Sequence, residues 1–96
     1  MNHVIYKYDI PVGENEFEIR MIAGARILFI EMQYGLPRMW CLCDAPVDED
    51  PRMEIRQFHV KATGEEFSIK GLKYIGSVMM AGGSLLWHYF ELMIVI

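Results

Sequence analysis

From Phe17 to Met21 the chain reads Phe-Glu-Ile-Arg-Met, with every apolar residue at an odd position and every charged residue at an even one. Successive side chains of an extended strand point to opposite faces, so this order buries one face and wets the other. The same period recurs elsewhere. In Val4 to Asp9, Val4, Tyr6 and Tyr8 share one face while Lys7 and Asp9 take the other. In Arg26 to Tyr34, Leu28, Ile30, Met32 and Tyr34 are expected inward, with Glu31 and Gln33 outward. Turn-forming residues separate these runs: Pro11, Gly13, Glu14 and Asn15, then Ala23-Gly24-Ala25, then Gly35-Leu36-Pro37 as a hairpin connection.

The later segments vary the pattern. In Arg38 to Asp44, Trp40 and Leu42 share one face and Met39, Cys41 and Cys43 the other, so this strand is expected to be central and covered on both sides. Two prolines bracket three acids in Ala45 to Pro51, a surface loop. In Met53 to Ala62 the inward parity slips, from Met53 and Ile55 to Phe58, Val60 and Ala62, which predicts a β-bulge near Arg56 and Gln57. Thr63-Gly64-Glu65-Glu66 ends that strand, and the mixed stretch between Glu65 and Leu72 is the one place for a short helix. Lys73 to Met80, a turn at Ala81-Gly82-Gly83, and a long apolar strand from Leu85 to Ile96 complete the chain. Heptads, helical stripes and internal repeats are absent. Seven short strands in one domain, residues 1–96, predict an all-β fold: a small antiparallel β-sandwich or a partly open barrel.

Apolar residues make up 53% of the 96, above the about 45–50% usual in soluble domains. A short chain hides a smaller share of its surface than a long one, which points to a homo-oligomer. The formal charge is −4, from 13 acidic and 9 basic residues with no block of one sign. Nucleic-acid binding draws on clustered Lys and Arg, and adhesion to anionic membranes on basic segments; neither is expected. A small anion held by two or three local basic residues fits the balance. Residues Met1 to Lys7 lack the features of a signal peptide. The apolar end is interrupted by His88 and Glu91, and is shorter than the roughly 20 apolar residues of a spanning helix.

Cys41 and Cys43 lie two apart, where a disulfide would be strained. Free thiols in a reducing cytoplasm are therefore expected. The pair could join His59 or His88 at a metal, but structural zinc sites draw their cysteines from turn knuckles, not straight strands. No metal or other cofactor is expected. Ser68, Ser77 and Ser84 lack a nucleophile elbow, and Gly64, Gly76, Gly82 and Gly83 form no phosphate loop. Cys41 with His88 as base is a pairing of residue types alone, and Glu65-Glu66 and Asp48 to Asp50 read as solvated loops. No catalytic residue is assigned; the chain reads as a binding protein, not an enzyme.

The stretch from Gly82 to Phe90 is the most informative, with Trp87 and Tyr89 on one strand face and His88 and Phe90 on the other. His88 is either a core histidine bonded to a neighbour or a donor beside an aromatic ledge that stacks a ring. Together with Tyr6-Lys7-Tyr8, Ala23 to Leu28, Gly35 to Trp40, Phe58-His59-Val60, Thr63-Gly64 and Lys73-Tyr74-Ile75-Gly76-Ser77, this stretch resembles a family of small uncharacterised bacteriophage and prophage proteins. The resemblance covers most of the chain; Leu92 to Ile96 departs from the pattern. It implies an anti-defence or host-takeover role in the host cytoplasm, exerted by occupancy.

Two hypotheses follow. In the first, an oligomer sequesters a small nucleotide-type immune signal: Trp40, Tyr74 and Trp87 stack a base, Arg56, Lys61 or Lys73 meets phosphate, and His59, Thr63 and His88 complete the ligand-binding set. In the second, the protein inhibits a host protein or serves the virion through exposed Met and aromatic surface or an open strand edge. Assembly is expected through Leu92, Met93, Ile94, Val95 and Ile96. Alternation cannot bury all five against their own core, so a neighbouring subunit receives them unless an intramolecular groove does.

Overall fold

The computed structural model describes residues 2–47 and 50–93. Seven strands follow in order: β1 (His3–Asp9), β2 (Glu16–Ile22), β3 (Arg26–Gln33), β4 (Leu36–Asp44), β5 (Met53–Ala62), β6 (Leu72–Met80) and β7 (Leu85–Leu92), with a 3₁₀ turn at Ala81–Gly83. They form two sheets, β1-β4-β3 and β2-β5-β7-β6, and every neighbouring pair is antiparallel. The fold is all-β and sandwich-like. The odd positions of β2 point inward as the alternation predicts: Phe17, Ile19 and Met21 are buried while Glu18 and Arg20 are exposed. They meet Met39, Cys41 and Cys43 of β4, Phe58 and Val60 of β5, and Tyr89 of β7 in one core. Phe17 stacks on Phe58 at 5.3 Å and meets Tyr89 edge-on at 6.3 Å.

Tyr34 and Gly35 form the two-residue turn between β3 and β4. Both have positive φ, 51° and 79°, as the tight turn that matches strand twist requires. Tyr34 is therefore solvent-exposed, not inward as its parity in the sequence predicts. Leu28 is exposed for another reason. The register passes from Ile27 opposite Cys41 to Phe29 opposite Trp40, leaving Leu28 as the extra residue of a bulge. Ile27, Ile30 and Met32 take the inward positions.

The bulge expected near Arg56 and Gln57 is absent, and pairing runs unbroken from Glu16–His59 to Ile22–Met53. The parity slip has a different cause. Ile55 faces out at 63% exposure, and the next inward position belongs to Arg56. A second bulge falls instead in β6, between Tyr74 and Gly76. A Cβ on Gly76 would stand 3.3 Å from Ile30 of the opposite sheet, so the absent side chain permits the sheets' close approach there. Residues 65–71 carry no helix; the helical turn is at Ala81–Gly83.

β4 is central, as expected, but covered only on its inner side: Trp40 and Leu42 are half-buried on the outer one. β7 ends at Leu92, and the Met93 N–H donates to the Gly71 carbonyl at 2.7 Å. Of the tail expected to drive assembly, Ile94, Val95 and Ile96 lie outside the described residues.

Candidate functional site

Strand register gathers five of the eight sequence-predicted ligand residues on the outer face of the four-stranded sheet. Glu16, His59, Phe90 and Tyr74 form one cross-strand row, and Lys61, His88 and Ser77 the next. Thr63, just past β5, completes a chain of polar groups. Tyr74 Oη lies 2.6 Å from Ser77 Oγ, Ser77 Oγ 2.9 Å from His88 Nδ1, and His88 Nε2 2.8 Å from Thr63 Oγ1. A neutral imidazole has one donating and one accepting nitrogen. The chain can therefore run either way, leaving a free hydroxyl proton at the Thr63 end or at the Tyr74 end. Such an array meets acceptors or donors on a ligand without moving a heavy atom.

The ionisable groups beside it are engaged and partly accessible. Lys61 Nζ lies 3.6 Å from Glu65 Oε2 and 5.3 Å from the Phe67 ring centre, and His59 Nδ1 is 3.8 Å from Glu16 Oε1. Each pairs a partly covered basic group with an exposed carboxylate, and pairs at a surface hold by about 0–1 kcal/mol, so a ligand charge can displace the carboxylate. Phe90 is the apolar floor, buried beneath Phe67 and Tyr74 at 5.3 Å and 5.6 Å.

Three predicted residues lie elsewhere. Arg56 points into the sandwich, where Nε and Nη2 donate to the two Glu91 oxygens at 2.6 Å and 2.8 Å, and Nη1 donates to the Ala25 carbonyl. The fork-on-fork bond to Glu91 raises the Arg56 pKa, burial opposing it. Three of its five N–H donors are spent on Glu91 and Ala25. Trp40 lies on the outer face of the three-stranded sheet, stacked on Phe29 at 4.9 Å. Ile5 and Leu42 stand opposite one another beside it.

Trp87 takes the inner side of β7 and, with Tyr89 and Val60, lines a cleft of about 390 Å³ at one end of the sandwich. The 11–15 connection and the 80–85 turn form its rim. Burial raises the Tyr89 phenol to a pKa of about 12.

Over residues 1–94 the chain matches DUF7352, a domain of unknown function. It belongs to that family. No curated protein and no solved structure matches it.

In this DUF7352 chain, Ser77 and Tyr89 are the residues that sequence reasoning passed over as binding groups. Ser77 is legible only once β6 is paired with β7, because the bulge at Ile75 is what turns it towards His88. Tyr89 reads as one more core aromatic; that its phenol has no hydrogen-bond partner among the described residues is visible only in three dimensions. Cys41 and Cys43 are unbonded and buried, and burial raises the Cys41 thiol to about 12, which leaves it protonated and inert. Among the described residues no cluster of three or more His, Cys, Asp or Glu is placed to hold a metal. No helix among them is long and apolar enough to cross a membrane.

Proposed function

We propose that this protein is a non-catalytic binding domain that holds a small nucleotide-type ligand on the outer face of its four-stranded sheet. The polar chain from Thr63 through His88 and Ser77 to Tyr74 carries the reading, because it sets invertible donors and acceptors next to an exposed aromatic ring and a displaceable lysine. Tyr74 stacks the base, the hydroxyl ends read its polar edge, and Lys61 turns from Glu65 to phosphate. His88 is bonded at both nitrogens to hydroxyls. A general base would need a carboxylate or carbonyl behind it to orient and stabilise its charged form, which favours binding over catalysis. The face is open, so a second subunit laid over it would enclose the ligand, and the apolar residues from Leu92 onward would serve that assembly.

In the setting that the likeness to phage proteins implies, the ligand is an immune signal of the host, withheld in its cytoplasm. Calorimetric titration with an adenine mononucleotide and with a cyclic dipurine nucleotide tests this. At least one should bind, and Tyr74→Ala and Lys61→Ala should each weaken it about tenfold, the loss of one stacked ring or one charge-assisted bond. Absence of binding by both, together with native mass spectrometry of protein from infected cells showing no retained ligand, would remove the reading.

A second reading rests on the other sheet. The exposed Phe29 and the half-buried Trp40 form a stacked pair beside Ile5, Leu28 and Leu42, with Lys7, Glu31 and Arg38 around it. An aromatic centre with a polar border is the anatomy of a protein-docking patch. Inhibition of a host protein or a virion role would use this face, and Trp40→Glu would abolish it while leaving nucleotide binding intact.

A further inference from the structure

The alternation of β7 sends His88 and Phe90 to the outer face and Trp87 and Tyr89 into the sandwich, where the latter two help form the end cleft. That cleft has properties the outer face lacks. Its volume of about 390 Å³ falls within the roughly 300–1,000 Å³ of small-molecule sites. Its lining is mainly apolar: Val60 belongs to the core, Trp87 and Met80 pack against it, and Leu85 is half-exposed at the edge. Within it stands one anomalous group. Tyr89 is 2% exposed, yet its hydroxyl makes no hydrogen bond with any described residue. The oxygen is not sealed from solvent, and Tyr89 lines the cleft. A buried phenol with no protein partner is costly unless something in the cleft accepts its proton.

The charge at the mouth narrows what that something is. Glu14 is the one charged residue in the described lining, so an anion would be repelled where a neutral or cationic molecule would not. This cleft is therefore unsuited to the phosphate-bearing ligand of the outer face. We propose that it is a separate binding site for a neutral or cationic small molecule with an aromatic or aliphatic body and one hydrogen-bond acceptor, which Tyr89 Oη meets. The apolar walls reward the body. The phenol rejects analogues that lack the acceptor, since they would leave it unpaired.

The test uses the full chain and a neutral dialkylamino-naphthyl ketone, a fluorophore whose carbonyl is the required acceptor and whose emission moves to the blue in an apolar site. It should bind saturably, one per chain, and an anionic naphthalene sulfonate should bind more weakly. Tyr89→Phe should weaken the ketone by about tenfold, the effect of one hydrogen bond. Its melting temperature should not fall, because the hydroxyl has no partner among the described residues to lose. Leu85→Trp, at the half-exposed mouth, should block saturable binding. No saturable binding to the full chain overturns the proposal. So does a Tyr89→Phe protein that binds as tightly as the parent, or a folded Leu85→Trp protein whose affinity is unchanged.

Discussion

The central strands of the two sheets carry outward aromatics with opposite fates. On β7, Phe90 is roofed by Phe67 and Tyr74 and is 6% exposed. On β4, Trp40 has only Phe29 stacked beside it among the described residues, and Phe29 is itself 44% exposed. On their inward sides the two strands are alike, with Cys41 and Tyr89 both in the core. The difference comes from the connections. The stretch between β5 and β6 passes across the outer face of β7, placing Phe67 there and tying Gly71 to Met93, whereas β4 receives no such cover from the described residues. An apolar outer position is thus a core position where the chain itself returns over it, and a candidate interface where it does not.

This comparison can be broken by substitution. The largest effect is expected at Phe90→Ala, about 3–5 kcal/mol of destabilisation as for a buried aromatic, read as a shift in the urea midpoint. Phe67→Ala, which strips the roof and leaves the floor, should cost about 1–2 kcal/mol for the partial burial lost. Phe29→Ala should cost about 0.5–1 kcal/mol, the worth of one exposed ring pair. Equal losses at Phe67 and Phe29 would mean that the two outer faces are covered alike, and the contrast would be wrong.

The smallest effect at neutral pH concerns the inward sides. Burial raises the Cys41 thiol from 9.0 to about 12 and the Tyr89 phenol from 10.0 to about 12. Above pH 9 the unfolded chain releases these protons before the folded one does, so stability is whole below pH 9 and falls as pH rises towards 12. Urea midpoints measured across that window should decline, and less steeply in Cys41→Ala. A flat profile would show that neither group is held away from water.

Much of this was legible from residue order alone, and the exceptions have definite causes. The β2 alternation places its three core residues correctly because that strand faces water on one side and the core on the other. The same rule fails at Ile55 and Arg56, since it assigns inward positions to apolar residues and cannot foresee a charge whose counter-charge stands 35 positions away. It fails at Leu28 because the bulge hands the inward position before it to Ile27, while Ile30 and Met32 beyond it keep the expected parity. Of the predicted ligand residues, His59, Lys61, Thr63, Tyr74 and His88 come together, while Trp40, Arg56 and Trp87 part from them. Residue type suggests what a side chain can do, not which of the four available faces it will occupy.

Residue order by itself determined that this chain forms antiparallel strands, where most of the turns fall, and that Cys41 and Cys43 share a strand face. Those properties are local, set by a side-chain period of two and by which residues tolerate turn geometry. Tertiary structure alone decided that β7 lies between β5 and β6, that Arg56 meets Glu91, and that Tyr89 lines a cleft with its hydroxyl unpaired among the described residues. Each of these depends on pairing between strands distant in sequence. The free energy that selects such pairings belongs to the whole packed core, and no segment contains it.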